Sequence, residues 1–306
     1  MSILFLMKPL ATIDPKKDTS LLFMQAAEEN HRSIYFLPQG GTSITPEGLV
    51  FNCQQITCSD TSTPVKVIKD CRLNANEVTT IFIRTDPPFD NAYLHDMWLL
   101  DHCPDHIQLI NSPQGIYTVN EKIWATQFKS ITPQTWVTQS IDQLTKLLHK
   151  HHQLIIKPTD SFGGQSIFKV SQTDPNYPVI FETMTNNNTT YVIAQQYIPD
   201  ATNGDKRILL WDGNPLGAIL RKHSQTDHRN NFFAGGTAHK ASITTNDQHI
   251  IDTLKPHLQA LKLRFVGIDI IGDKLIEVNV TSPTCLQELN ALDQTAHHHT
   301  IIKQLT

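Results

Sequence analysis

The chain has 306 residues, of which 39% are hydrophobic and 18% charged, the composition of an ordinary soluble globular protein. This length is sufficient for two domains, or for one domain with an inserted lobe. The formal net charge of −4 gives no electrostatic basis for binding nucleic acid or an anionic membrane, so neither is an expected partner.

Short apolar strands alternate with helices in the first third of the chain. The apolar segment Ile3–Met7 precedes the first lysine, the reverse of the order in a signal peptide, and predicts a buried strand. No apolar run is long enough to span a bilayer. Asp18, Thr19 and Ser20 are available to cap the first helix. Other predicted elements are helices at 19–30 and 91–101, a polar-faced hairpin at 49–58 and 65–70, and buried strands at 34–37, 80–83 and 107–110.

This alternation predicts an α/β domain with a largely parallel sheet. No GxGxxG motif follows the first strand, so a dinucleotide site is not indicated. From Asn120 onward strands become more frequent, which is typical of α+β sheets backed by helices. The predicted helices there are 121–128, 140–150, 175–184 and 247–261, and the predicted strands are 136–137, 154–157, 166–170, 191–195, 207–211, 216–220, 265–271 and 275–280.

The five cysteines are odd in number and lack CxxC spacing, so the sequence supports neither a disulfide framework nor a zinc site. A reducing cytoplasm is the expected compartment. Fifteen histidines include the run His297-His298-His299 near the C-terminus. We interpret this run as an exposed helix surface, with adventitious metal binding as the alternative.

The segment from Phe265 to Cys285 contains a candidate metal site. Glu277 and Asn279 lie two residues apart in an apolar run, so on a strand they share one face. Asp269 lies on the preceding run, and two carboxylates with an amide oxygen suit Mg²⁺. A strict two-residue hairpin loop would place Asp269 on the face opposite Glu277. A three-residue loop or a bulge permitted by Gly272 would restore one shared face. The alternative is a solvated hairpin with three ordinary polar residues.

Two lysines and a pair of glycines are candidates for binding phosphates. Lys122 lies in the first turns of a predicted helix, and Lys157 ends an apolar strand. Gly163-Gly164 follow closely and permit close approach of the backbone to phosphate oxygens. Alone, the lysine at the strand end also fits a solvated cap, and the glycine pair also fits a hairpin turn.

Three arginines are candidates for binding a carboxylate and its phosphorylated form, because the guanidinium group binds such oxygens in a bidentate manner. These are Arg207, Arg221 and Arg229; the last two flank a polar segment that leads to a glycine pair. This segment is typical of a mobile loop that closes over substrate. A solvated surface position is the alternative for each arginine taken singly.

The ordered set of motifs closely resembles bacterial glutathione synthetases of the ATP-grasp superfamily, from about Met7 to the C-terminal helix. The motifs are Arg84-Thr85-Asp86-Pro87-Pro88-Phe89-Asp90, Asn120-Glu121-Lys122, Ile156-Lys157-Pro158, the Asp160 to Phe168 segment, Gly204-Asp205-Lys206-Arg207, Glu277-Val278-Asn279 and Thr281-Ser282-Pro283-Thr284. The resemblance implies an N-terminal α/β domain on the substrate side at 1–121, followed by a two-lobed ATP-grasp domain. Its central lobe would be 122–200, and its C-terminal lobe, with metal and substrate residues, 201–306.

The resemblance further implies an ATP-dependent ligase that joins γ-glutamylcysteine to glycine through an acyl phosphate. ATP would be the co-substrate, Mg²⁺ (or Mn²⁺) the metal, and a cytoplasmic homo-oligomer, a tetramer in the family, the expected form. No dedicated general base is evident. The alternatives are an ATP-grasp ligase for another acid and amine, and a nucleotide-binding regulatory protein without ligase activity.

By the same resemblance, each candidate residue receives a role. Lys122 and Lys157 would hold the α- and β-phosphates, and the loop at 163–166 would cover the γ-phosphate. The metal ligands would be Asp269, Glu277 and Asn279. The remaining ATP-binding residues would be Gly163, Gly164, Gln165, Ser166, Gln195, Gln196, Tyr197, Ile198 and Asp205. The arginines Arg207, Arg221 and Arg229 would act on the acyl phosphate, and the substrate residues would be Asp86, Pro87, Ser282, Pro283 and Thr284.

The chain departs from the family's usual residues in three places. Ser161 and Phe162 stand where the family usually has a glycine and a methionine, and Lys8 occupies a position often held by aspartate. The third departure follows Arg229, where Asn230, Phe232 and Phe233 replace smaller residues. These changes fall on the loops that cover the substrates, so they bear on turnover and on the choice of amine. Cys285 is expected to serve packing, because this ligation needs no thiol nucleophile.

Overall fold

A computed structural model of the chain describes residues 2–59, 63–222 and 236–305. Its strands form three sheets. The first sheet contains seven strands: β1 Ser2–Met7, β2 Ser33–Pro38, β3 Thr42–Thr45, β4 Gly48–Cys58, β5 Val65–Asn74, β6 Thr80–Ile83 and β7 Gln108–Ile110. The second contains β8 Thr135–Thr138, β9 Gln153–Pro158, β10 Phe168–Ser171 and β11 Val192–Gln196. The third contains β12 Asp205–Trp211, β13 Asn214–Lys222, β14 Thr237–Ala241, β15 Phe265–Ile271 and β16 Lys274–Asn279.

The described α-helices are α1 Thr19–Glu29, α2 Asn91–Leu100, α3 Pro113–Thr118, α4 Ile141–His151, α5 Tyr177–Met184, α6 Thr245–Ala260, α7 Leu286–Asp293 and α8 His297–Lys303. Asp18 caps α1, because its carboxylate accepts hydrogen bonds from the amides of Ser20 and Leu21. Among the described residues, no helix combines the length and apolar character needed to cross a membrane.

The first sheet confirms the predicted α/β domain, but it is a mixed sheet in which only one half is parallel. Strands β2, β1, β6 and β7 are parallel and adjacent in that order, while β3, β4 and β5 add antiparallel pairs at one side. Strand β1 is buried from Ile3 to Met7. A central parallel strand lies between covered faces, which is why it appears as a continuous apolar run in the sequence.

The four-stranded and five-stranded sheets lie within the two ranges predicted for the lobes of the ATP-grasp domain. The boundaries at 121 and 200 stay predictions. The four-stranded sheet has a core of its own, built from residues such as Leu144, Ile156 and Phe181. By contrast, the seven-stranded and five-stranded sheets share two continuous cores. The ring of Phe23 on α1 meets Phe265 of β15 edge to face at 5.3 Å, which joins the two sheets.

Three local predictions were wrong. The helix predicted at 121–128 is only a short 3-10 helix, Trp124–Gln127, because the amides of Lys122 and Ile123 donate to the side chain of Asn120. The strand predicted from Ser166 begins at Phe168, because Ser166 has a left-handed φ of 55°. The histidine run is not an exposed surface: His297, His298 and His299 begin α8 and are half-buried.

Asn111 fastens the first sheet to the five-stranded sheet. Its side-chain amide donates to the carbonyls of Phe265 and Val280, both at 2.8 Å, and its oxygen accepts from the amide of Phe265 at 2.7 Å. Two of these backbone groups belong to Phe265, the first residue of β15, the third belongs to Val280 directly after β16, and Asn111 is buried. One side chain therefore fixes the start of one strand and the end of the next.

We expect Asn111→Ala to lower the free energy of unfolding by about 3 kcal/mol or more, because it leaves three buried backbone groups without partners. Asn52→Ala is the matched control, since Asn52 is exposed and donates one long bond of 3.4 Å. Urea unfolding of both variants measures the difference. A loss of under about 1 kcal/mol for Asn111→Ala would contradict the role of Asn111 in joining the two sheets.

His298 should make stability depend on pH. Burial, with His299 and His297 beside it, lowers the pKa of His298 from 6.5 to about 4. As pH falls through 6.5, His298 takes up a proton in the unfolded chain, whereas in the folded chain it does so only at about pH 4. The free energy of unfolding therefore decreases as pH falls from 6.5 to about 4. We expect His298→Gln to flatten this slope in urea unfolding at several pH values. His249→Gln, on the exposed surface of α6, should leave the slope unchanged.

Candidate active site

The β15–β16 hairpin brings Asp269 and Glu277 to one face. Ile271 pairs with Lys274 across a two-residue turn, the arrangement that by itself would have separated the two carboxylates. The register then shifts between Asp269 and Ile270, so that Ile270 pairs with Leu275 but Asp269 pairs directly with Glu277. The extra residue is Ile276. The sequence predicts a three-residue loop or a bulge permitted by Gly272. The loop has two residues, and the bulge lies inside the ladder and not at Gly272.

The lysines predicted to bind phosphates both point at Glu277. Its Oε1 lies 3.6 Å from the ammonium of Lys157 and 4.0 Å from that of Lys122. Both lysines are buried, and Glu277 is largely so. Lys157 lies on β9 of the four-stranded sheet and Glu277 on β16 of the five-stranded sheet, so the contact joins two sheets. Three residues far apart in the sequence therefore meet in one cleft.

Asp269 is the centre of a second buried group of charges. Arg207 binds it in a bidentate manner, with 2.9 Å between Nη2 and Oδ2, and Arg221 Nη2 reaches the same Oδ2 at 3.0 Å. Arg221 also binds Asp205 through two bonds of 2.8 and 2.6 Å. All four side chains are buried, and each charge has an opposite neighbour, which is the condition for keeping ionised groups out of water.

These surroundings shift the pKa of several of the groups, among them Asp269 and Lys157. Burial acts to raise the pKa of Asp269, but the guanidinium groups of Arg207 and Arg221 outweigh it and hold that pKa well below the usual range. Burial lowers the pKa of Lys157, and the nearby ammonium of Lys122 acts in the same direction, against the opposing pull of Glu277. The lysine therefore lies where an additional anion would favour its charged form.

Gly267 makes room for the side chain of Arg207. A β-carbon at this position would lie 3.1 Å from Arg207 Nη1 and 3.2 Å from its Cδ. Gly267 lies on β15, opposite Leu209 of β12 and Asn279 of β16. The absence of a side chain in the middle of a strand thus lets the guanidinium lie across the sheet towards Asp269.

The donor atoms on β16 fit a divalent cation. The side-chain nitrogen of Asn279 is turned towards Asp269 Oδ2 at 3.4 Å and the carbonyl of Gly267 at 3.3 Å, so its oxygen is the atom left for a ligand. Glu277 supplies a carboxylate on the same face. Among the residues that the structure describes, no group of three or more His, Cys, Asp and Glu side chains is placed to hold a metal. A cation here would therefore need the Asn279 oxygen and substrate phosphates.

The phosphate loop, residues 160–166, lies against Lys122. The ammonium of Lys122 donates a hydrogen bond to the carbonyl of Ser161. Gly163, Gly164 and Ser166 all have left-handed φ values, of 63°, 78° and 55°, and Gln165 between them is exposed. The glycines permit this tight path, while Ser166 adopts it against the preference of a residue with a β-carbon.

The strand predicted to bind adenine is β11 with the residues after it. Gln195 is buried, and its side chain donates to Thr135 of the neighbouring strand at 2.9 Å, so it is engaged within the sheet. Gln196 is exposed, and Lys169 lies 3.8 Å from the ring centre of Tyr197. Ile198 leads into a short 3-10 helix.

A cavity of about 300 Å³ opens beside Gln196 and Tyr197. Its lining includes Gln153, the first residue of β9, which lies about 13 Å along the strand from Lys157 at the usual rise per residue. The cavity is therefore at the opposite end of β9 from Lys157.

The predicted substrate residues lie at two places. Asp86 is about two-fifths exposed and forms an ion pair with Lys8 at 3.4 Å, and the Pro87–Pro88 peptide is cis. Ser282 is half-buried, Pro283 buried and Thr284 exposed, just before the left-handed Cys285 that precedes α7. The first amide of α7, that of Leu286, already donates weakly to Thr19 at 3.4 Å.

Glu121 is a site residue that sequence reasoning missed. Its Oε1 accepts hydrogen bonds from the amides of Val280 and Thr281 and from the hydroxyl of Thr281, at 2.8 to 3.0 Å. The backbone carbonyl of Glu121 also accepts from Val278. It thereby fixes the end of β16 beside Lys122. The position of Glu121 within the Asn120-Glu121-Lys122 motif was the feature of the sequence that could have identified it. Arg229, Asn230, Phe232 and Phe233 lie outside the described residues.

The chain matches known families along most of its length. Residues 1–117 match the prokaryotic glutathione synthetase N-terminal domain, and residues 121–294 the prokaryotic glutathione synthetase ATP-grasp domain. The glutathione synthetase of Vibrio parahaemolyticus is 35% identical over 288 residues, covering 93% of this chain and 91% of that protein. That of Pseudomonas aeruginosa is 37% identical over 296 residues, covering 93% and 90%.

Solved structures with the same fold have much lower sequence identity. D-cycloserine synthetase DcsG superposes with a TM-score of 0.68 at 12% identity, covering 99% of this chain and 100% of that one. The D-alanine–D-alanine ligase of Bacillus anthracis, solved with ATP, gives 0.59 at 13% identity, covering 100% and 96%. These similarities confirm the predicted architecture, an N-terminal α/β domain followed by an ATP-grasp domain.

Gly267→Ala tests the buried charge network. The added β-carbon should displace Arg207 from Asp269 and lower the free energy of unfolding by about 1–3 kcal/mol. In an Arg207→Ala background the same substitution should cost under about 1 kcal/mol, because the side chain that it displaces is gone. Urea unfolding of the four proteins measures both values. An equal cost in the two backgrounds would show that Gly267 is not there to make room for Arg207.

Proposed function

The chain belongs to the prokaryotic glutathione synthetase family, and we propose that its cleft joins γ-glutamylcysteine to glycine, converting ATP to ADP and phosphate and giving glutathione. It is an ATP-dependent ligase that acts on small-molecule substrates. The single observation that best supports the residue roles is the convergence of Lys122, Lys157 and Glu277 beside Asp269, from three separate parts of the chain.

The first step makes an unreactive carboxylate electrophilic. An oxygen of the cysteinyl carboxylate attacks the γ-phosphorus of ATP, the bond from that phosphorus to the bridging oxygen breaks, and an acyl phosphate and ADP result. We assign Lys122 and Lys157 to the phosphate oxygens, because both are buried cations that meet a single carboxylate in the described structure. The phosphate loop lies against Lys122 and would exclude water from the transferring group.

In the second step the neutral amine of glycine attacks the acyl carbon. A carbon–nitrogen bond forms, the bond from carbon to the phosphate oxygen breaks, and the amine releases a proton. Negative charge develops on the carbonyl oxygen, and fixed cations stabilise it. We assign this role to Arg207 and Arg221, whose positions Asp269 and Asp205 hold, together with Arg229. Asp86, Pro87 and the 282–284 turn would contact the peptide and glycine.

Glu277, Asn279 and Asp269 would hold the divalent metal, which we propose to be Mg²⁺, with Mn²⁺ as a substitute. When bound, this ion neutralises phosphate charge and orients the triphosphate. Asp269 would contribute least, since both of its oxygens already accept from arginines. The adenine would lie along Gln195–Ile198, and Asp205 at the start of β12 would also contact the nucleotide. We also propose a cytoplasmic location, which the free cysteines support, and a homo-oligomer, which rests on the family resemblance alone.

A three-way assay tests the reaction. Purified protein is mixed with Mg·ATP, γ-glutamylcysteine and glycine, and ADP is measured with each substrate left out in turn. We expect release of ADP to require both substrates and glutathione to accumulate. Release with a different amine would identify another ATP-grasp ligase. Binding of ATP without any release would favour a regulatory protein.

Glu277→Gln should separate the roles of the metal and the lysines. Turnover should fall at least about a hundredfold, because the cation loses a carboxylate. In the absence of metal, however, affinity for ATP should rise, because Lys122 and Lys157 lose the anion that neutralises them.

Titration calorimetry in EDTA, beside the ADP assay, measures the two effects. Glu47→Gln on the exposed surface is the control and should change neither. Normal turnover in Glu277→Gln would refute its role at the metal, and so would normal turnover in Glu277→Gln combined with Asn279→Ala.

A further inference from the structure

Lys8 connects the N-terminal domain to the phosphate loop. It follows β1 directly, and its ammonium lies 3.4 Å from Asp86 Oδ2 and 5.5 Å from the centre of the Phe162 ring. A cation within about 6 Å of an aromatic face is attracted by the charge distribution of the ring. The side chains of Lys8 and Asp86 are both about two-fifths exposed. The contact is therefore partly open to solvent.

The contact needs both of its residues, because a cation is attracted to the face of an aromatic ring and not to an aliphatic side chain. Lys8 follows the first strand, whereas Phe162 follows β9. Two residues that are distant in the sequence thus form one interaction in space.

The loop is held from its other side as well. Lys122 donates to the carbonyl of Ser161, the residue before Phe162, and lies beside Glu277 at the centre of the cleft. Gly163 and Gly164 follow with left-handed φ values, which turn the chain tightly after Phe162. Two ammonium groups, from different domains, therefore anchor consecutive residues of the phosphate loop.

We propose that Lys8 is a positioning residue for the phosphate loop. Asp86 orients its ammonium, the ammonium holds the ring of Phe162, and the loop is kept closed over bound ATP. The proposal rests on the proposed function, because it takes the loop to cover the phosphates of ATP. The described contacts of Lys8 are with Asp86 and Phe162, and not with the residues assigned to the phosphates or the metal. The N-terminal domain, which would bind the peptide substrate, thereby also contributes to retention of the nucleotide.

A double-mutant cycle with Lys8→Met and Phe162→Leu tests the coupling. The readouts are the affinity for a non-hydrolysable ATP analogue with Mg²⁺, measured by calorimetry, and the KM and kcat of the ligation. Each single variant should bind the analogue about two- to fivefold more weakly, the effect of one partly exposed cation–π contact. The double variant should be no weaker than either single variant, because the contact is already lost.

Conservative and remote variants provide the controls. Lys8→Arg should retain affinity, since a guanidinium also binds an aromatic face. Lys66→Met, an exposed lysine on β5, should change nothing. Because the side chain of Lys8 is partly exposed and the ring of Phe162 half-buried, thermal melting of these variants should match that of the unchanged protein.

Independent, multiplying effects of the two substitutions would overturn the proposal, as would unchanged affinity in either single variant. A rise in the KM for γ-glutamylcysteine in Lys8→Met alone, without any effect of Phe162→Leu, would instead make Lys8 a substrate-binding residue. The proposed function can fail independently of this proposal. If the two substitutions are coupled in their effect on affinity for the analogue but the protein forms no glutathione, the ligation is refuted and the positioning role of Lys8 stands.

Discussion

The structure around the cleft depends on the mutual neutralisation of charges that are kept away from water. Lys122, Lys157, Arg207 and Arg221 supply four positive charges, and Asp205, Asp269 and Glu277 supply three negative ones. Removal of any of the three carboxylates would leave a buried cation uncompensated, which costs several kcal/mol. The one positive charge in excess among these described groups favours an anionic ligand, and a nucleotide triphosphate is such a ligand.

These charges fall into two groups with different purposes. The arginines are held by carboxylates in bidentate geometry, so their positions are fixed before any substrate arrives. The lysines share one carboxylate at 3.6 and 4.0 Å, a looser arrangement that phosphate and metal can replace. Preorganised cations suit the oxyanion of the acyl step, and exchangeable ones suit a co-substrate that must enter and leave.

The packing of the sheets explains how the charge groups are assembled. The seven-stranded and five-stranded sheets share their cores, and Asn111 and Glu121 tie the ends of β15 and β16 to the rest. The four-stranded sheet, which carries Lys157 and the phosphate loop, has a separate core. It meets the other two sheets through polar contacts such as those of Glu277. Lys8 and Phe162 add one more such contact, on the side of the N-terminal domain.

The sequence by itself determined the order of the elements, the parallel half of the first sheet and the residue types of the site, because apolar periodicity and short motifs are local properties. It also showed that Asp269 and Glu277 needed an irregular ladder in order to meet. Only the tertiary structure decided where the irregularity lies, at Ile276, since register depends on packing across β12, β15 and β16.

The tertiary structure likewise decided that Glu121 and Asn111 hold the ends of β15 and β16 by hydrogen bonds, and that the histidine run is half-buried. The sequence gives only the type of a polar side chain. Its role depends on which groups from distant parts of the chain contact it after folding. The pairing of Lys8 with Phe162 has the same origin: the sequence marked both as departures, and only folding brought the cation to the ring.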